Sequence, residues 1–234
     1  MMFALNRFIW KAFLFPAFLL SSHAFASSPV GGVGLGATRI IFSAQTEQAV
    51  LPVRNSDPQS LFLIQSGVED AKGNKTHDFI ITPPLFVIKP LRENVLRIVS
   101  NGNTHFATDR ETLYWVTVKA IPAVSDKIKT ANSLQIAISN RIRLLVRPEN
   151  LQVSPSQAKE MLHFQQNGQD LVIHNASPYF LSLVNFTVSS VRLPNTTVAP
   201  LTDTHVSVPH NARGQISFQT INDYGASTPA QAGK

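Results

Sequence analysis

The sequence predicts an all-β protein with two domains, each a sandwich or a barrel, and three observations lead to this prediction. From residue 37 onward, short runs of β-branched and aromatic residues alternate with clusters of proline, glycine, asparagine and aspartate. No segment of ten or more residues shows the apolar period of an amphipathic helix. The strand pattern stops at Arg147-Pro148-Glu149-Asn150, where Pro148 cannot continue a ladder, and then resumes. We therefore place a boundary between two all-β domains at this segment.

Turn residues bound the predicted strands. Asn55-Ser56-Asp57-Pro58 ends the second strand, Asp70 to Asn74 ends the third, and Pro83-Pro84 and Pro90 separate the short strands that follow. The predicted strands of the first domain span residues 38–42, 49–53, 60–68, 79–81, 85–88, 94–99, 112–121 and 134–146. Those of the second domain span residues 162–165, 171–174, 180–188, 196–199, 205–208 and 215–218.

The first 26 residues have the composition of a secretory signal peptide. Arg7 and Lys11 precede an apolar run, and Ala24-Phe25-Ala26 offers the small residues that signal peptidase requires, so we predict cleavage after Ala26 and export. An uncleaved membrane anchor is the alternative, but the apolar run is shorter than the roughly 20 residues that span a bilayer. The mature chain then divides into domains at 27–147 and 148–234, and a chain of this size can form buried cores.

Composition argues against several classes of function. The net charge is +6, and the lysines and arginines are scattered, which does not favour nucleic-acid binding. The chain has no cysteine, which excludes disulfides, thiolate zinc sites and cysteine nucleophiles. Its seven histidines show no metal-binding spacing, and there is no G-x-S-x-G motif. We therefore predict that the protein is not an enzyme and uses no metal and no cofactor.

The two ends of the mature chain have few large side chains. Residues 32–37 fit the loose G-x-G-x-x-A pattern of dinucleotide-binding loops. That motif needs a strand before it and a helix after it, whereas here a signal-peptide junction precedes and a predicted strand follows. We therefore expect a flexible mature N-terminus. The small and polar residues 227–234 predict a frayed C-terminus.

Three aliphatic residues, Leu134, Ile136 and Ile138, alternate with smaller or polar residues in the last predicted strand of the first domain. Side chains two residues apart on a strand share one face and lie about 6.7 Å apart. One interpretation is an ordinary half-buried strand. The other is a strand at a sheet edge, which presents these side chains to the groove of a partner while its main chain pairs with that partner. An open edge promotes aggregation, so a protein that keeps one is expected to use it.

Arg39 places a positive charge beside Ile40, Ile41 and Phe42. A buried charge needs a partner. Simple alternation would place Arg39 on the solvent face of its strand. Alternatively, its guanidinium binds an anion, because it matches a carboxylate through two parallel hydrogen bonds. The sequence alone leaves both interpretations open.

Four separated segments resemble the periplasmic pilus chaperones of the chaperone–usher pathway. Residues 38–42 are similar to the first strand of that family, and residues 106–122 to its specific D-R-E-S-L-F-W-x-N-x-x-x-I-P signature. Residues 134–148 are similar to the long strand that closes its first domain. The motifs at 174–179 and 221–225 are similar to those of its second domain. The likeness extends from about Ala37 to Ala226.

The resemblance implies a fold of two immunoglobulin-like β-sandwich domains in an L or boomerang arrangement with an interdomain cleft. It also implies that the protein is a periplasmic chaperone. Such a chaperone lends the last strand of its first domain to a pilus subunit that lacks one, and delivers the capped subunit to an outer-membrane usher. Pilus subunits and the usher are the expected partners. Self-association of the uncapped chaperone through the same strand is left open.

The resemblance also assigns three groups of site residues, by matched motif position. They are the anchor for the subunit's C-terminal carboxylate, Arg39 and Arg143; the donor residues Leu134, Ile136 and Ile138; and an interdomain ionic triad of Glu111, Arg147 and Asp223.

The chain departs from the family pattern at two positions. Arg143 stands where lysine is usual, and Thr117 where the signature has asparagine. Under strict alternation Arg143 also has the opposite parity to the donor residues, and a bulge or a strand twist would reconcile the two roles. The loop at 123–133 is short and has no cysteine pair, which favours the short-loop class that assembles rod-like pili.

Two other classes of protein are the alternatives. A secreted carbohydrate-binding or adhesin sandwich would need exposed aromatic clusters or calcium-binding acidic loops. Trp10 lies in the predicted signal peptide and Trp115 in the middle of a strand, so neither supplies such a cluster. A hydrolase on a β-scaffold would need a nucleophile and a base, and the sequence shows no such constellation.

Overall fold

The computed structural model describes residues 31–46, 48–102, 104–123 and 134–234. The predicted signal peptide with its cleavage site, and all but the first residue of the loop at 123–133, lie outside the described residues. Within the described ranges, no helix is long and apolar enough to cross a bilayer.

The first domain is a sandwich of two sheets. Its strands are β1 (Val33–Leu35), β2 (Arg39–Ser43), β3 (Gln48–Asn55), β4 (Phe62–Glu69), β5 (Phe79–Thr82), β6 (Leu85–Ile88), β7 (Glu93–Ser100), β8 (Thr112–Pro122) and β9 (Ile138–Arg147). One sheet has the order β1-β3-β7-β5, and the other has the order β2-β9-β8-β4-β6. Strands β2 and β9 are parallel, whereas the other pairs of this domain are antiparallel.

The second domain is also a sandwich. Its strands are β10 (Leu162–Asn167), β11 (Asp170–Asn175), β12 (Leu181–Val188), β13 (Val191–Arg192), β14 (Thr196–Val198), β15 (Thr202–Ser207), β16 (Ile216–Thr220) and β17 (Gln231–Ala232). One sheet has the order β10-β11-β15. The other has the order β13-β12-β16-β17, with β14 also paired to β12.

Each sandwich has its own apolar core, made by alternate residues of the facing strands. In the first domain Leu51, Ile64 and Val116 are fully buried, and rings such as Phe79 and Tyr114 pack edge to face with centroids 5.0 Å apart. The second core includes Leu171, Ile173, Leu183 and Phe186. The prediction of two all-β domains is confirmed, and both are sandwiches. The domain limits at 147 and 148 stay a prediction; the buried core residues of the first domain end at Val146 and those of the second begin at Ala158.

The prediction of two loose chain ends was wrong. The glycine-rich stretch forms β1, which pairs with β3 from Val33 opposite Asn55 to Leu35 opposite Val53. The C-terminal residues form β17 on β16, and the carbonyl of Lys234 accepts a hydrogen bond of 2.9 Å from the Phe164 amide. Composition misled the prediction because each segment is held through its backbone by the free edge of a neighbouring strand.

The last strand of the first domain begins four residues later than predicted. Strand β9 spans Ile138–Arg147, and Leu134 and Ile136 precede it. Its antiparallel ladder with β8 ends at Ile138 opposite Ala120. In the same register Pro122 would face Ile136, and proline has no amide hydrogen to donate to a ladder. The side chain of Gln135 donates instead to the Pro122 carbonyl.

Candidate functional site

Strand β9 has one covered half and one open half. Strand β8 pairs with it from Ile138 to Val146, whereas β2 pairs only with Arg143 to Arg147. Residues 138–142 therefore have a neighbour on one side, and no described strand pairs with their other edge. This half presents main-chain donors and acceptors to an added strand.

Of the aliphatic residues predicted to be donated, Ile138 lies in this open half, and Leu134 and Ile136 lie in the segment just before it. Leu134 is 86% exposed, Ile136 is 65% exposed and Ile138 is 59% exposed. Ile138 has the same parity as Leu144 and Val146, which are fully buried in the core. The inward-facing row of β9 thus continues past the end of its own core, and its last member is left uncovered.

Arg39 and Arg143 are direct partners in the parallel pairing of β2 and β9. Both are on the outer face of their sheet, because their neighbours Ile40 and Leu144 are core residues. Arg39 is nevertheless only 9% exposed. The interpretation that alternation leaves it on a solvent face is therefore wrong: residues of the second domain cover this face.

The second domain contacts both arginines. Nη1 of Arg39 donates to the Ile221 carbonyl at 3.2 Å, and Nη2 of Arg143 donates to Oγ1 of Thr197 at 2.6 Å. The Nε–H group of each arginine is buried and has no acceptor among the described residues. Each guanidinium thus keeps unused donor capacity.

The two guanidinium groups are desolvated cations without a close counter-ion. Within the described residues, no carboxylate lies within 4.0 Å of either group. Burial lowers the pKa of both arginines, and the charge of Arg143 lowers the pKa of Arg39 further, while Asp223 and Glu111 oppose that change. Arginine stays protonated in proteins, so this arrangement favours an anion that accepts from both groups.

Ile138 and Arg143, the predicted donor and anchor residues of β9, lie on opposite faces of the strand. The ladder with β8 runs in one register from Thr112 opposite Val146 to Ala120 opposite Ile138. The bulge considered at the sequence level is absent from this stretch, and none is needed. One face of β9 carries Ile138, which is exposed, and the other carries Arg143 toward the second domain.

Glu111, Arg147 and Asp223 form one ion-pair network between the two domains. Nε of Arg147 is 2.8 Å from Oε1 of Glu111, and its Nη1 and Nη2 atoms are 2.7 and 2.8 Å from the two carboxylate oxygens of Asp223. The other oxygen of Glu111 accepts from the Phe180 amide at 2.8 Å. The Arg147 guanidinium also lies 5.0 Å from the ring centroid of Tyr179.

Burial dominates the electrostatics of Glu111, which is 3% exposed. Burial raises the pKa of this carboxyl, while the charge of Arg147 and the Phe180 amide lower it. Burial disfavours the charged form of Arg147 too, but its hydrogen bonds to Asp223 and the charge of Glu111 outweigh that and raise its pKa. The buried charges of this network therefore compensate one another, whereas Arg39 and Arg143 have no described carboxylate close by.

Sequence reasoning missed the second-domain contacts around the arginines. Thr197 carried no signal that could have placed it at Arg143. Gly225 did carry one, because it follows Asp223 and Tyr224 in a short motif, and glycine permits its positive φ of 84°. A Cβ atom there would collide with Oγ1 of Thr38, so this loop packs directly beside the start of β2.

Two sandwiches with an open strand edge, and two arginines without a carboxylate partner among the described residues, are features that suit a protein that binds by strand pairing. Two family models cover nearly all of the described chain. Residues 32–152 match "Pili and flagellar-assembly chaperone, PapD N-terminal domain". Residues 157–232 match "Pili assembly chaperone PapD, C-terminal domain". The chain therefore belongs to the family of PapD-like pilus-assembly chaperones.

Individual relatives agree with this assignment. The chain is 42% identical over 214 residues to the probable fimbrial chaperone SfmC of Escherichia coli K12, and the match covers 91% of each protein. The crystal structure of the periplasmic chaperone SfaE has a TM-score of 0.77 and 42% identity, and covers 86% of this chain and 99% of that one. A structure of the Salmonella enterica SafA pilin in complex with the SafB chaperone has a TM-score of 0.78 and 28% identity, covering 88% and 97%.

The family resemblance inferred from the sequence is confirmed by these matches. The protein is accordingly a chaperone of pilus assembly and not an enzyme, and its fold is the two-domain fold of that family.

Proposed function

We propose that this protein is a periplasmic chaperone that holds a pilus subunit by donating β9 to it and by binding the subunit's C-terminal carboxylate. The observation that carries the proposal is one strand with three adjacent features. Residues 138–142 have an open edge, Ile138 is exposed beside it, and Arg143 pairs with Arg39 where the covered half begins. The SafA–SafB structure supports a pilin as partner, because its chaperone has the same fold.

The open edge would satisfy a subunit strand through main-chain hydrogen bonds. An added strand on 138–142 pairs its backbone with β9, and the aliphatic side chains enter the groove that the subunit leaves open. Burial of Leu134, Ile136 and Ile138 contributes roughly 1.5–3 kcal/mol each, and association costs offset part of this. An uncapped subunit with unpaired strands would otherwise aggregate.

The arginine pair would fix the register of the added strand. Ile138 and Arg143 are five residues apart, which is about 17 Å along a strand. A carboxylate bound at the pair sets where the subunit strand ends, and a slip by one residue would turn its side chains to the wrong face. The donor side chains supply affinity and the anchor supplies alignment.

The ionic triad of Glu111, Arg147 and Asp223 would set the orientation of the two domains around the anchor. Support comes from its contacts, since Arg147 in β9 joins Asp223 of the second domain by two hydrogen bonds. Desolvation of the three charges makes a net contribution to stability small. Its value to the chaperone lies in keeping Ile221 and Thr197 against the anchor arginines.

Two observations support a periplasmic location: the description of a relative and the predicted signal peptide. SfaE is described as a periplasmic chaperone, and the first 26 residues here have the composition of a cleavable signal peptide ending at Ala26. We infer that the protein is exported to the periplasm and delivers the subunit to an outer-membrane usher. We also infer that it takes part in the assembly of a rod-like pilus. The same open edge is also available for self-association of free chaperone.

The test is capture of a pilin during purification from periplasm. We expect Arg39→Ala and Arg143→Ala to fold normally and to lose the co-purifying pilin, because each removes half of the anchor. Arg97→Ala is the matched control, since Arg97 is an exposed arginine of β7 in the other sheet. Capture by both anchor variants at the yield of the Arg97 variant would show that the anchor hypothesis is wrong.

A further inference from the structure

The anchor arginines belong to a longer row of side chains across the sheet. Arg39 on β2 is the partner of Arg143 on β9, which faces Trp115 on β8, which in turn faces Glu69 on β4. Three buried side-chain N–H groups lack an acceptor among the described residues: Nε of Arg39, Nε of Arg143 and Nε1 of Trp115. All three belong to consecutive members of this row.

The indole of Trp115 contacts the Arg143 guanidinium of the proposed anchor without occupying the hydrogen-bond donors of that guanidinium. The Cζ atom of Arg143 lies over the ring, 5.5 Å from its centroid, and the Cζ atom of Arg141 lies over it at 4.4 Å. An aromatic face attracts a guanidinium but accepts no conventional hydrogen bond from it. A carboxylate in this position would instead occupy the N–H groups that a ligand needs.

Arg141, the second arginine on the indole, forms an ion pair with Glu69. Nη2 of Arg141 is 2.9 Å from Oε2 of Glu69, and the hydroxyl of Thr117 donates to Oε1 of the same carboxylate at 3.1 Å. Arg141 therefore packs on Trp115 with its charge compensated, which limits its repulsion of Arg143. Of the two guanidinium groups on the ring, only that of Arg143 is without a described carboxylate within 4.0 Å.

We propose that Trp115 is a positioning residue for carboxylate capture: its ring holds the Arg143 guanidinium in place while leaving its donors free. The inference rests on the proposed function, because it assigns a support to the anchor. The planar guanidinium of Arg143 stacks on an indole better than the compact ammonium of a lysine at this position would. The same arrangement gives Thr117 a task, which is to orient Glu69.

The test compares two synthetic peptides that differ only at the C-terminus. Both are acetylated strand peptides with aliphatic residues at alternate positions; one ends in a free carboxylate and the other in an amide. Calorimetric titration of the full-length mature protein gives the ratio of the two affinities, which we expect to be tenfold or more in favour of the acid. The ratio does not depend on the folded fraction, because both peptides bind the same folded molecules.

We expect Trp115→Leu to lower this ratio about fivefold, with the affinity for the amide unchanged. Trp115→Phe, which keeps an aromatic face, retains most of the ratio. In the double variant Trp115→Leu/Arg143→Lys, we expect the same affinity ratio as in Arg143→Lys alone, because the two residues act as a unit. Leu85→Ala is the control, because Leu85 is an exposed apolar residue of β6.

Two results would overturn the inference in distinguishable ways. An unchanged ratio in Trp115→Leu would show that the indole does not position Arg143, and would leave the anchor intact. A ratio of acid to amide affinity near one in the wild-type protein would contradict the carboxylate anchor, and with it the proposed role of Trp115.

Discussion

The arginines at the domain junction fall into two groups, which differ in whether a carboxylate compensates the buried positive charge. Arg147 makes three hydrogen bonds to the carboxylates of Glu111 and Asp223. Among the described residues, Arg39 makes one hydrogen bond, to a carbonyl, and Arg143 makes one, to a hydroxyl. Buried charges cost less when paired. Residues that stay unpaired at such a cost are candidates for binding, and this difference separates the proposed anchor from the proposed structural triad.

Arg147→Ala tests the compensation within the triad. The change leaves the Glu111 carboxylate buried without its cation, so we expect a loss of about 3–5 kcal/mol in the free energy of unfolding at neutral pH. Urea unfolding measures it. Arg110→Ala is the control, because the Arg110–Asp109 pair, 2.7 Å apart, is exposed and neighbours the triad in sequence. We expect no measurable loss there, because solvent screens an exposed pair, and equal losses in both variants would refute the distinction.

The pH dependence of Arg147→Ala has a definite sign. Burial raises the pKa of Glu111, and removal of Arg147 takes away the charge that opposes this rise. A carboxyl whose folded pKa lies above its unfolded value costs stability as pH rises through that interval. We therefore expect the deficit of the variant relative to wild type to be largest at neutral pH and to shrink toward pH 4.5. A deficit that grows on acidification would contradict the buried-carboxyl account.

At the scale of the element, β9 combines a structural half with a binding half. Leu144 and Val146 are fully buried, whereas Ile138, on the same face, is 59% exposed. The sheet needs one half of the strand for its core, and the proposed function assigns the other half to a partner. Natural proteins usually protect such edges, so the exposure of this one is consistent with transient use.

Ile136→Asp separates the two halves experimentally. Ile136 is 65% exposed, so we expect thermal unfolding within about 2 °C of wild type and a loss of pilin capture, because a carboxylate cannot enter an apolar groove. Leu144→Ala is the contrasting variant: Leu144 is fully buried, and we expect a loss of about 2–5 kcal/mol in unfolding free energy. A large loss of stability in Ile136→Asp would place that residue in the core instead.

Local patterns predicted the β-strands better than the relations between them. Alternation placed a strand around Ile138, but its start depends on Pro122, which lies on a neighbouring strand. The glycines at 31–36 and the tail at 227–234 were misjudged, because edges of β3 and β16 hold them through backbone bonds. The pairing of Arg39 with Arg143 arises from parallel β2 and β9, which no periodicity specifies. Only the family resemblance, through matched motif positions, assigned both arginines to one anchor.

At the scale of the molecule, several contacts between described residues connect the domains beside the proposed anchor. Arg147 binds Asp223, the amide of Glu111 donates to the Pro178 carbonyl at 2.9 Å, and Arg39 donates to the Ile221 carbonyl. The second domain thus covers the face on which the two unpaired guanidinium groups lie. The proposed anchor involves both domains, because Ile221 and Thr197 of the second domain accept hydrogen bonds from the two arginines.

Asp223→Ala tests whether the triad controls domain orientation. We expect each sandwich to stay folded, because Asp223 lies outside both cores, and the radius of gyration from small-angle X-ray scattering to rise as the domain angle broadens. Asp203→Ala is the control, since Asp203 is an exposed carboxylate of β15. Superimposable scattering curves for wild type and Asp223→Ala would argue against this role.

The most direct test of the central claim is amide hydrogen exchange of the chaperone, free and in complex with its pilin. If the subunit adds a strand to the open half of β9, the outward amides of residues 138–142 exchange rapidly in the free protein and become protected at least tenfold in the complex. The free edge of β6, at Leu85–Ile88, serves as the internal reference and keeps its rate. Exchange at 138–142 that is identical in both states, with protection only elsewhere, would contradict the account.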